Sequence, residues 1–144
     1  MTGFWNYENI EDVLCSTFLS PTTSAMDFLH GHCAVLSIAL HEAFGYKIFF
    51  VADRYYCEEF EDFSLNNLIH VFCIKDGEFI DIRGKTEDED LFMEEFDDFF
   101  TEYLILPTTA EEVREHLIPL MGGNFQEVLD IAHKFVIKHK EIYA

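Results

Sequence analysis

The sequence predicts an α+β fold in which a buried helix packs on a small, mainly antiparallel sheet and a helical C-terminal portion follows. The helix is indicated by residues 33–44, an apolar run that only three polar side chains interrupt. The sheet is indicated by segments 46–56, 68–74 and 78–82, which are rich in β-branched and aromatic residues. With 144 residues the chain has the length of one ordinary domain, so a single domain over 1–144 is expected.

A first amphipathic helix is predicted over residues 7–19, ahead of the buried one. Its apolar positions at helical spacing are Ile10, Val13, Leu14 and Phe18. Pro21 ends this pattern, because proline cannot continue a helix. Gly45 is placed to end the buried helix, since glycine readily adopts the left-handed conformation found just past helix ends.

The last two predicted strands flank Asp76-Gly77, a dipeptide typical of two-residue hairpin loops in which both positions take a positive φ. Side chains alternate between the faces of a strand, so this loop places His70 and Asp81 on one face. They are then diagonal neighbours, with backbone positions roughly 7 to 8 Å apart. Cys73 points to the other face, where it is predicted to be part of the core.

Three further helices are predicted by residue pairs that can form capping boxes at their starts. The pairs are Thr86 with Glu89 before 91–100, Thr108 with Glu111 before 113–117, and Asn124 with Glu127 before the last helix. A short strand over 103–106, ended by Pro107, is expected between the first two helices. These segments make up the helical portion, at about 86–144.

The net charge of the chain limits the classes of partner that it can attract. There are 28 acidic and 9 basic residues, which give a formal net charge of -19. Such a charge argues against direct binding to nucleic acid or to an anionic membrane surface by long-range attraction. The sequence has no apolar run of membrane-spanning length, and its start lacks the pattern of a secretion signal. A cytoplasmic location is therefore expected.

The four cysteines, Cys15, Cys33, Cys57 and Cys73, are widely separated and form no C-x-x-C pair. In a reducing compartment they are expected to be free thiols. Cys33 differs from the other three because it lies in the first turn of the buried helix, just after Gly31. Unpaired N–H groups and the helix dipole at this position favour a thiolate and could also hold an oxyanion. Cys33 is therefore a candidate nucleophile, with His70 as its base and Asp81 as the acid that orients the histidine.

The segments GHCAVLSIAL, HVFCIKDGEF and IDIRG together resemble the transglutaminase-like branch of the papain-like cysteine enzymes, over residues 29–83. The resemblance implies a catalytic core at about 24–85. It also implies that Cys33 forms a thioester, that His70 acts as acid and base, and that Asp81 holds His70. The family includes transglutaminases, peptidases, amide hydrolases, deamidases and inactive relatives, and its chemistry needs no cofactor. Many relatives carry Trp directly after the nucleophile, where this chain has Ala34.

These implications lead to the expected function, cysteine-dependent acyl transfer on the amide bond of a protein or peptide substrate. A metal site is the weaker interpretation of the same region, because His30, His32 and Cys33 are all zinc donors. Against it, the two histidines are only two residues apart, and no second pair of donors lies nearby in the sequence. His32 could instead polarise the cysteine site, or be a simple surface histidine.

A second hypothesis concerns residues 87–98, where eight of twelve residues are acidic. Phe92, Phe96 and Phe99 recur among them at helical spacing, so the favoured interpretation is a solvated helix face above an apolar contact. The alternative function is a non-enzymatic acidic inhibitor or nucleic-acid mimic that binds a basic partner protein through this face, on an inactive copy of the fold. Replacing Cys33 distinguishes the two hypotheses, since only an enzyme needs the thiol.

Overall fold

The computed structural model describes residues 2–55 and 65–144, and it confirms the α+β class. The strands are β1 (Thr2–Gly3), β2 (Phe18–Ser20), β3 (Thr23–Ser24), β4 (Lys47–Asp53), β5 (His70–Lys75), β6 (Glu78–Asp81), β7 (Gly84–Thr86) and β8 (Tyr103–Thr108). Six of them form one sheet in the order β1-β7-β6-β5-β4-β8, and all neighbouring pairs are antiparallel. Strands β2 and β3 form a separate small hairpin.

The helices are α1 (Ile10–Ser16), α2 (Cys33–Phe44), α3 (Glu89–Glu94), α4 (Ala110–Met121), α5 (Asn124–Lys138) and α6 (Lys140–Tyr143). Short 3-10 turns occupy Phe4–Asn6, Ala25–Phe28, Leu65–Asn67 and Asp97–Phe99. The predicted helical C-terminal portion is confirmed by α4, α5 and α6. Within the described ranges, no helix has the length and apolar character needed to cross a membrane.

The central helix α2 is buried as predicted. Its first eight residues, Cys33 to Leu40, are all buried, and Gly45 ends it in the left-handed conformation at φ 76°. One side of α2 packs on β5 and another on α5. Val71, Cys73 and Ile80 line the sheet face beneath the helix and are fully buried. The predicted core position of Cys73 is thus confirmed.

The predicted hairpin between β5 and β6 is also confirmed. Lys75 pairs with Glu78 across the loop, and Asp76 and Gly77 have φ angles of 52° and 80°. These are the positive values that a two-residue loop of this type requires. The turn therefore sets the register of both strands, and with it the faces to which their side chains point.

The opposite face of the sheet carries a second apolar cluster. Phe72 and Phe79 extend from β5 and β6 and contact Phe92 and Met93 of α3. The ring centroids of Phe72 and Phe92 are 4.9 Å apart. Helix α3 and the turn after it thus cover the face that carries His70 and Asp81.

The two ends of the chain meet beside the segment that follows β6. Strand β1 pairs with β7, and Gly84 is needed there because a Cβ atom would lie 2.1 Å from the Thr2 carbonyl oxygen. The Tyr143 hydroxyl of α6 donates a hydrogen bond of 2.7 Å to the carbonyl of Ile82. Both contacts hold residues 82–84 in place directly after Asp81.

The first predicted helix is too long. Helix α1 covers Ile10–Ser16 only, because the chain around Pro21 folds into the β2–β3 hairpin and takes Phe18 into a strand. Phe18 is consequently exposed rather than part of an apolar helix face. Strand β4 ends at Asp53, short of the predicted residue 56, which lies outside the described residues.

The predicted caps are shifted or absent. Asp88, not Thr86, caps α3 by accepting the Leu91 N–H at 3.0 Å, because Thr86 still belongs to β7. Thr109, not Thr108, caps α4 in the same way. Asn124 is the first residue of α5, where no side-chain cap is formed.

Strand β8 continues through Pro107 instead of ending there. It is an edge strand that pairs with β4 alone, and a proline is tolerated at an edge because its missing N–H interrupts no second ladder. Helix α3 ends at Glu94, so the predicted helix 91–100 is a short helix followed by a 3-10 turn.

Candidate active site

Cys33 occupies the first position of α2, level with the start of β5. Its Sγ accepts a hydrogen bond of 3.5 Å from the backbone N–H of Val71. The first hydrogen bond of the helix runs from the Leu36 N–H to the His32 carbonyl. The N–H groups of the three residues before Leu36, including that of Cys33, therefore have no partner within the helix. Such N–H groups give the start of the helix, where Cys33 lies, a partial positive charge.

The imidazole of His70 and the carboxylate of Asp81 meet as the hairpin register predicts. Nε2 of His70 lies 2.9 Å from Oδ2 of Asp81, and both side chains are buried, at 0% and 1% exposure. Nδ1 of His70 is buried and makes no well-aligned hydrogen bond within the described residues. With Nε2 held by Asp81, Nδ1 is the nitrogen left to serve the thiol.

Cys33 and His70 polarise each other. Burial opposes ionisation of the thiol, but the charge of His70 and the Val71 N–H outweigh it and lower the pKa of Cys33. Burial likewise opposes protonation of the ring, yet the charge of Cys33 and the hydrogen bond to Asp81 raise the pKa of His70. Both shifts favour a thiolate beside an imidazolium, which is the reactive pair of a cysteine enzyme.

Arg83 joins the cluster of His70 and Asp81, although no role was predicted for it from the sequence. Its Nη2 and Nε donate to Oδ2 of Asp81 at 2.8 and 3.1 Å, Nε also lies 3.2 Å from Oδ1, and its backbone N–H donates to Oδ1 at 2.8 Å. Burial would raise the pKa of Asp81, but the charge of Arg83 and the bond to His70 hold it well below its usual range. The alternation of faces, which puts Arg83 on the side of Asp81, was the available signal.

A layer of aromatic rings seals the histidine from solvent. The ring of Phe96 stacks on His70 with centroids 4.3 Å apart, and Phe72 and Phe92 lie at 6.0 and 5.8 Å. Water is thereby kept from the imidazole and its carboxylate, which strengthens the electrostatic interactions among them.

A cleft of about 410 Å³ opens onto Cys33. Its lining residues are Leu29, His30, Gly31, Cys33, Leu68, Ile69, Phe96 and Phe99. Cys33 is 6% exposed, whereas His70 is fully buried. A substrate in this cleft would therefore approach the sulfur directly, with the imidazole behind it.

The remaining donors near the cysteine have other partners. Ser24 and Asp27, two upstream residues that could have supplied a side-chain donor for an oxyanion, instead bond to each other and cap the turn Ala25–Phe28. The N–H groups at the start of α2 that have no partner within the helix are candidate oxyanion donors.

The residues of the metal hypothesis do not converge. His30 points its Nε2 to Glu95 at 2.9 Å, and the ring of His32 lies 5.7 Å from that of Phe28. In residues 2–55 and 65–144, no group of three His, Cys, Asp or Glu side chains is arranged to hold a metal ion.

The other cysteines differ from Cys33 in their surroundings. Cys73 is fully buried, donates to the Ser37 carbonyl at 3.7 Å, and burial raises the pKa of its thiol. Cys15 is exposed on α1. Cys57 lies outside the described residues.

The acidic segment 87–98 is solvated on one side and packed on the other, as the favoured interpretation expects. Phe92 and Phe96 are fully buried, and the exposed acids flank them. The predicted place of Phe99 in the apolar helical stripe is wrong. Phe99 is 60% exposed at the rim of the cleft, because the helix ends before it and a 3-10 turn redirects the chain.

No family model matches the chain, and comparisons with curated proteins and with solved structures found no match either. The functional conclusion accordingly depends on the geometry of the site.

Proposed function

We propose that this protein is a cysteine-dependent acyl-transfer enzyme of the transglutaminase-like, papain-like type, which acts on amide bonds through a thioester on Cys33. The observation that carries the proposal is the buried bond of 2.9 Å between His70 and Asp81, next to a thiol whose pKa is lowered by the same histidine. A cysteine at a helix start that lines a cleft, beside a histidine whose charge stabilises its thiolate, is suited to nucleophilic catalysis.

In the first half of the reaction the Cys33 thiolate attacks the carbonyl carbon of an amide in the cleft. The oxyanion that forms accepts hydrogen bonds from free N–H groups at the start of α2. The His70 imidazolium then gives its proton to the amide nitrogen, the carbon–nitrogen bond breaks, and the amine leaves. The products are a neutral imidazole and a thioester on Cys33.

In the second half, neutral His70 removes a proton from water or from a second amine as this nucleophile attacks the thioester. The carbon–sulfur bond breaks, and the Cys33 thiolate and the imidazolium are restored. Throughout both halves Asp81 stays ionised and holds Nε2, so that Nδ1 remains directed at the sulfur. Hydrolysis, deamidation and transamidation share these steps and differ in the leaving group and the second nucleophile.

The test is to trap the thioester. Wild type incubated with acyl anilides is expected to gain the mass of the acyl group on Cys33 and to lose it on addition of hydroxylamine, which cleaves thioesters. Cys33→Ala should gain no mass, whereas Cys73→Ala should behave like wild type, because Cys73 is fully buried beneath α2 and points to the sheet face opposite His70. Acylation at Cys73 or Cys15 in place of Cys33 would refute the proposal.

A further inference from the structure

We propose that Arg83 is a positioning residue of this site, which keeps Asp81 ionised and directs its carboxylate at His70. The inference rests on the proposed function for its catalytic meaning. The structural basis of the inference does not depend on that function. The guanidinium of Arg83 is 3% exposed, and its Nε and Nη2 both donate to the carboxylate of Asp81.

The contacts of Arg83 leave Asp81 little freedom. Oδ1 accepts the backbone N–H of Arg83 at 2.8 Å, and Oδ2 accepts Nη2 at 2.8 Å while it also meets the imidazole. A planar guanidinium holds a carboxylate in one orientation, which a lysine ammonium cannot do. Oδ2, the oxygen that bonds Nε2 of His70, is therefore held by the guanidinium as well as by the imidazole.

The aromatic surroundings hold the guanidinium in turn. Its central carbon lies 4.3 Å from the ring centroid of Trp5 and 4.6 Å from that of Phe92, distances typical of cation–π contacts. Nη2 also donates to the Phe92 carbonyl at 3.1 Å. Arg83 thus joins Asp81 to the segment whose Phe96 covers His70.

The charge of Arg83 acts on the thiol through this chain of groups. A cation beside Asp81 favours its ionised form, ionised Asp81 favours the imidazolium, and the imidazolium favours the thiolate of Cys33. Without the guanidinium of Arg83, Asp81 would be a buried carboxylate that keeps only His70 and the backbone N–H of residue 83 as partners. The thiolate would then form only at higher pH.

The experiment compares Arg83→Gln and Arg83→Lys with wild type, and uses Arg114→Gln as the matched control. Arg114 also bonds a carboxylate, that of Glu42, but its side chain is one-third exposed, and Glu42 lies near the opposite end of α2 from Cys33. For each protein that circular dichroism shows to be folded, the rate of alkylation at Cys33 by iodoacetamide is measured from pH 4 to 9, and the rate of acyl transfer is measured at its plateau.

Arg83→Gln is expected to move the acidic limb of the alkylation profile up by about one pH unit or more, and to lower acyl transfer at least tenfold. Arg83→Lys should return the acidic limb of the alkylation profile to its wild-type pH, because lysine keeps the positive charge. Acyl transfer should remain reduced, because lysine loses the planar contact with Asp81. Arg114→Gln should match wild type in both.

A folded Arg83→Gln variant with wild-type limb and plateau would overturn the inference. If that variant does not fold, Arg83→Lys decides, and a wild-type acyl-transfer rate in it would refute the positioning role. If wild type transfers no acyl group but its alkylation profile still responds to Arg83, the proposed function fails while the role of Arg83 holds.

A second inference rests on the proposed function and on the lining of the cleft, and not on Arg83. We infer that the acyl group bound at Cys33 carries a large apolar side chain. Five of the eight residues that line the cleft are aliphatic or aromatic, namely Leu29, Leu68, Ile69, Phe96 and Phe99. Phe99 is 60% exposed at the rim, and covering it would remove apolar surface from water.

Peptidyl chloromethyl ketones that differ only in the side chain next to the reactive carbon test this specificity. A leucine or phenylalanine derivative should inactivate Cys33 at least about tenfold faster than a glutamate or glycine derivative, since burying an apolar side chain in the cleft removes its surface from water. Phe99→Ala should reduce the preference. Phe18→Ala is the matched control, because Phe18 is equally exposed at 61% but belongs to the β2–β3 hairpin.

Equal inactivation by the four derivatives would contradict the apolar preference. So would a Phe18→Ala variant that loses the preference as much as Phe99→Ala. Iodoacetamide distinguishes this failure from failure of the proposed function, because a thiol that no alkylating agent labels selectively is not an activated nucleophile.

Discussion

Two clusters of this protein contain the same three groups in nearly the same contacts. In the first, Asp81 bonds His70 at 2.9 Å and Arg83 at 2.8 Å, with all three side chains at 3% exposure or less. In the second, Glu42 bonds His133 and Arg114, each at 2.7 Å, with side chains about one-third exposed. The second joins α2 to α4 and α5 at the surface. Distances alone therefore do not separate the buried cluster from the surface one.

Burial and the neighbouring thiol make the difference. Exposed ion pairs are screened by water and contribute roughly 0 to 1 kcal/mol, whereas breaking a buried pair costs about 3 to 5 kcal/mol. Burial opposes ionisation of Glu42, but its bonds to His133 and Arg114 outweigh that and lower its pKa. The carboxylate of Asp81 is buried rather than solvated, and its partner His70 lowers the pKa of Cys33.

The largest difference between the clusters should appear when each histidine is removed. His70→Ala is expected to lower acyl transfer by about 100-fold to 10,000-fold, the usual contribution of a general acid–base group. His133→Ala should leave the rate within about twofold, because it has no contact with the thiol. Steady-state rates of the two variants measure this, with circular dichroism as the check on folding. Equal losses would mean that His70 acts only through the fold.

The carboxylates should differ in stability. Asp81→Asn is expected to lower the free energy of unfolding by about 3 to 5 kcal/mol, because it leaves the buried Arg83 charge unpaired. Glu42→Gln should cost no more than about 1 kcal/mol. Urea unfolding at pH 7 measures both. A loss below about 1 kcal/mol in Asp81→Asn would show that water or a rearranged Arg83 compensates for the missing charge.

The pH dependence of stability should distinguish the same pair of residues. The pKa of Asp81 is depressed in the folded protein, so its contribution is complete above the unfolded value of about 3.9 and is lost as pH falls through the folded value. Wild type should therefore lose stability steeply below about pH 4. Asp81→Asn should lose less over this range, whereas Glu42→Gln should follow wild type closely. Urea midpoints between pH 2 and 5 measure the slopes.

Local signals predicted the parts of this site that lie close together in sequence. Asp76-Gly77 requires a two-residue loop, and that loop with the alternation of faces brings His70 to Asp81. The apolar run that begins at Cys33 predicted a buried helix, whose start holds this cysteine. These features depend on turn chemistry and periodicity, which a single sequence contains.

The parts that were missed depend on contacts between distant segments. Arg83 is recognisable as a buried cation only once Trp5 and Phe92 are packed around it. Phe18 follows an apolar helical pattern, but its pairing with Ser24 outweighs that pattern. Phe99 was placed in a helical stripe that ends at Glu94. Propensity could not indicate these tertiary effects.

The smallest effect is expected from the acidic face next to the site. Replacing Glu94, Asp97 and Asp98 together with their amides should change acyl transfer of an uncharged substrate by less than about twofold, because these side chains are exposed and screened. The fold should persist, as judged by circular dichroism. If instead a cellular effect of the protein disappears while Cys33 remains reactive, the hypothesis of an acidic binding protein gains support.

The central claim is that His70 makes Cys33 a thiolate inside the folded protein. Its most direct test is the pH profile of iodoacetamide labelling, mapped by mass spectrometry at Cys33, Cys15 and Cys73 of the native chain. Labelling of Cys33 is expected to reach its plateau at a lower pH than that of an ordinary thiol and there to exceed the labelling of exposed Cys15, while buried Cys73 stays unlabelled. Labelling of Cys33 that is no faster than that of Cys73, or that still rises through about pH 8.5 like an ordinary thiol, would contradict it.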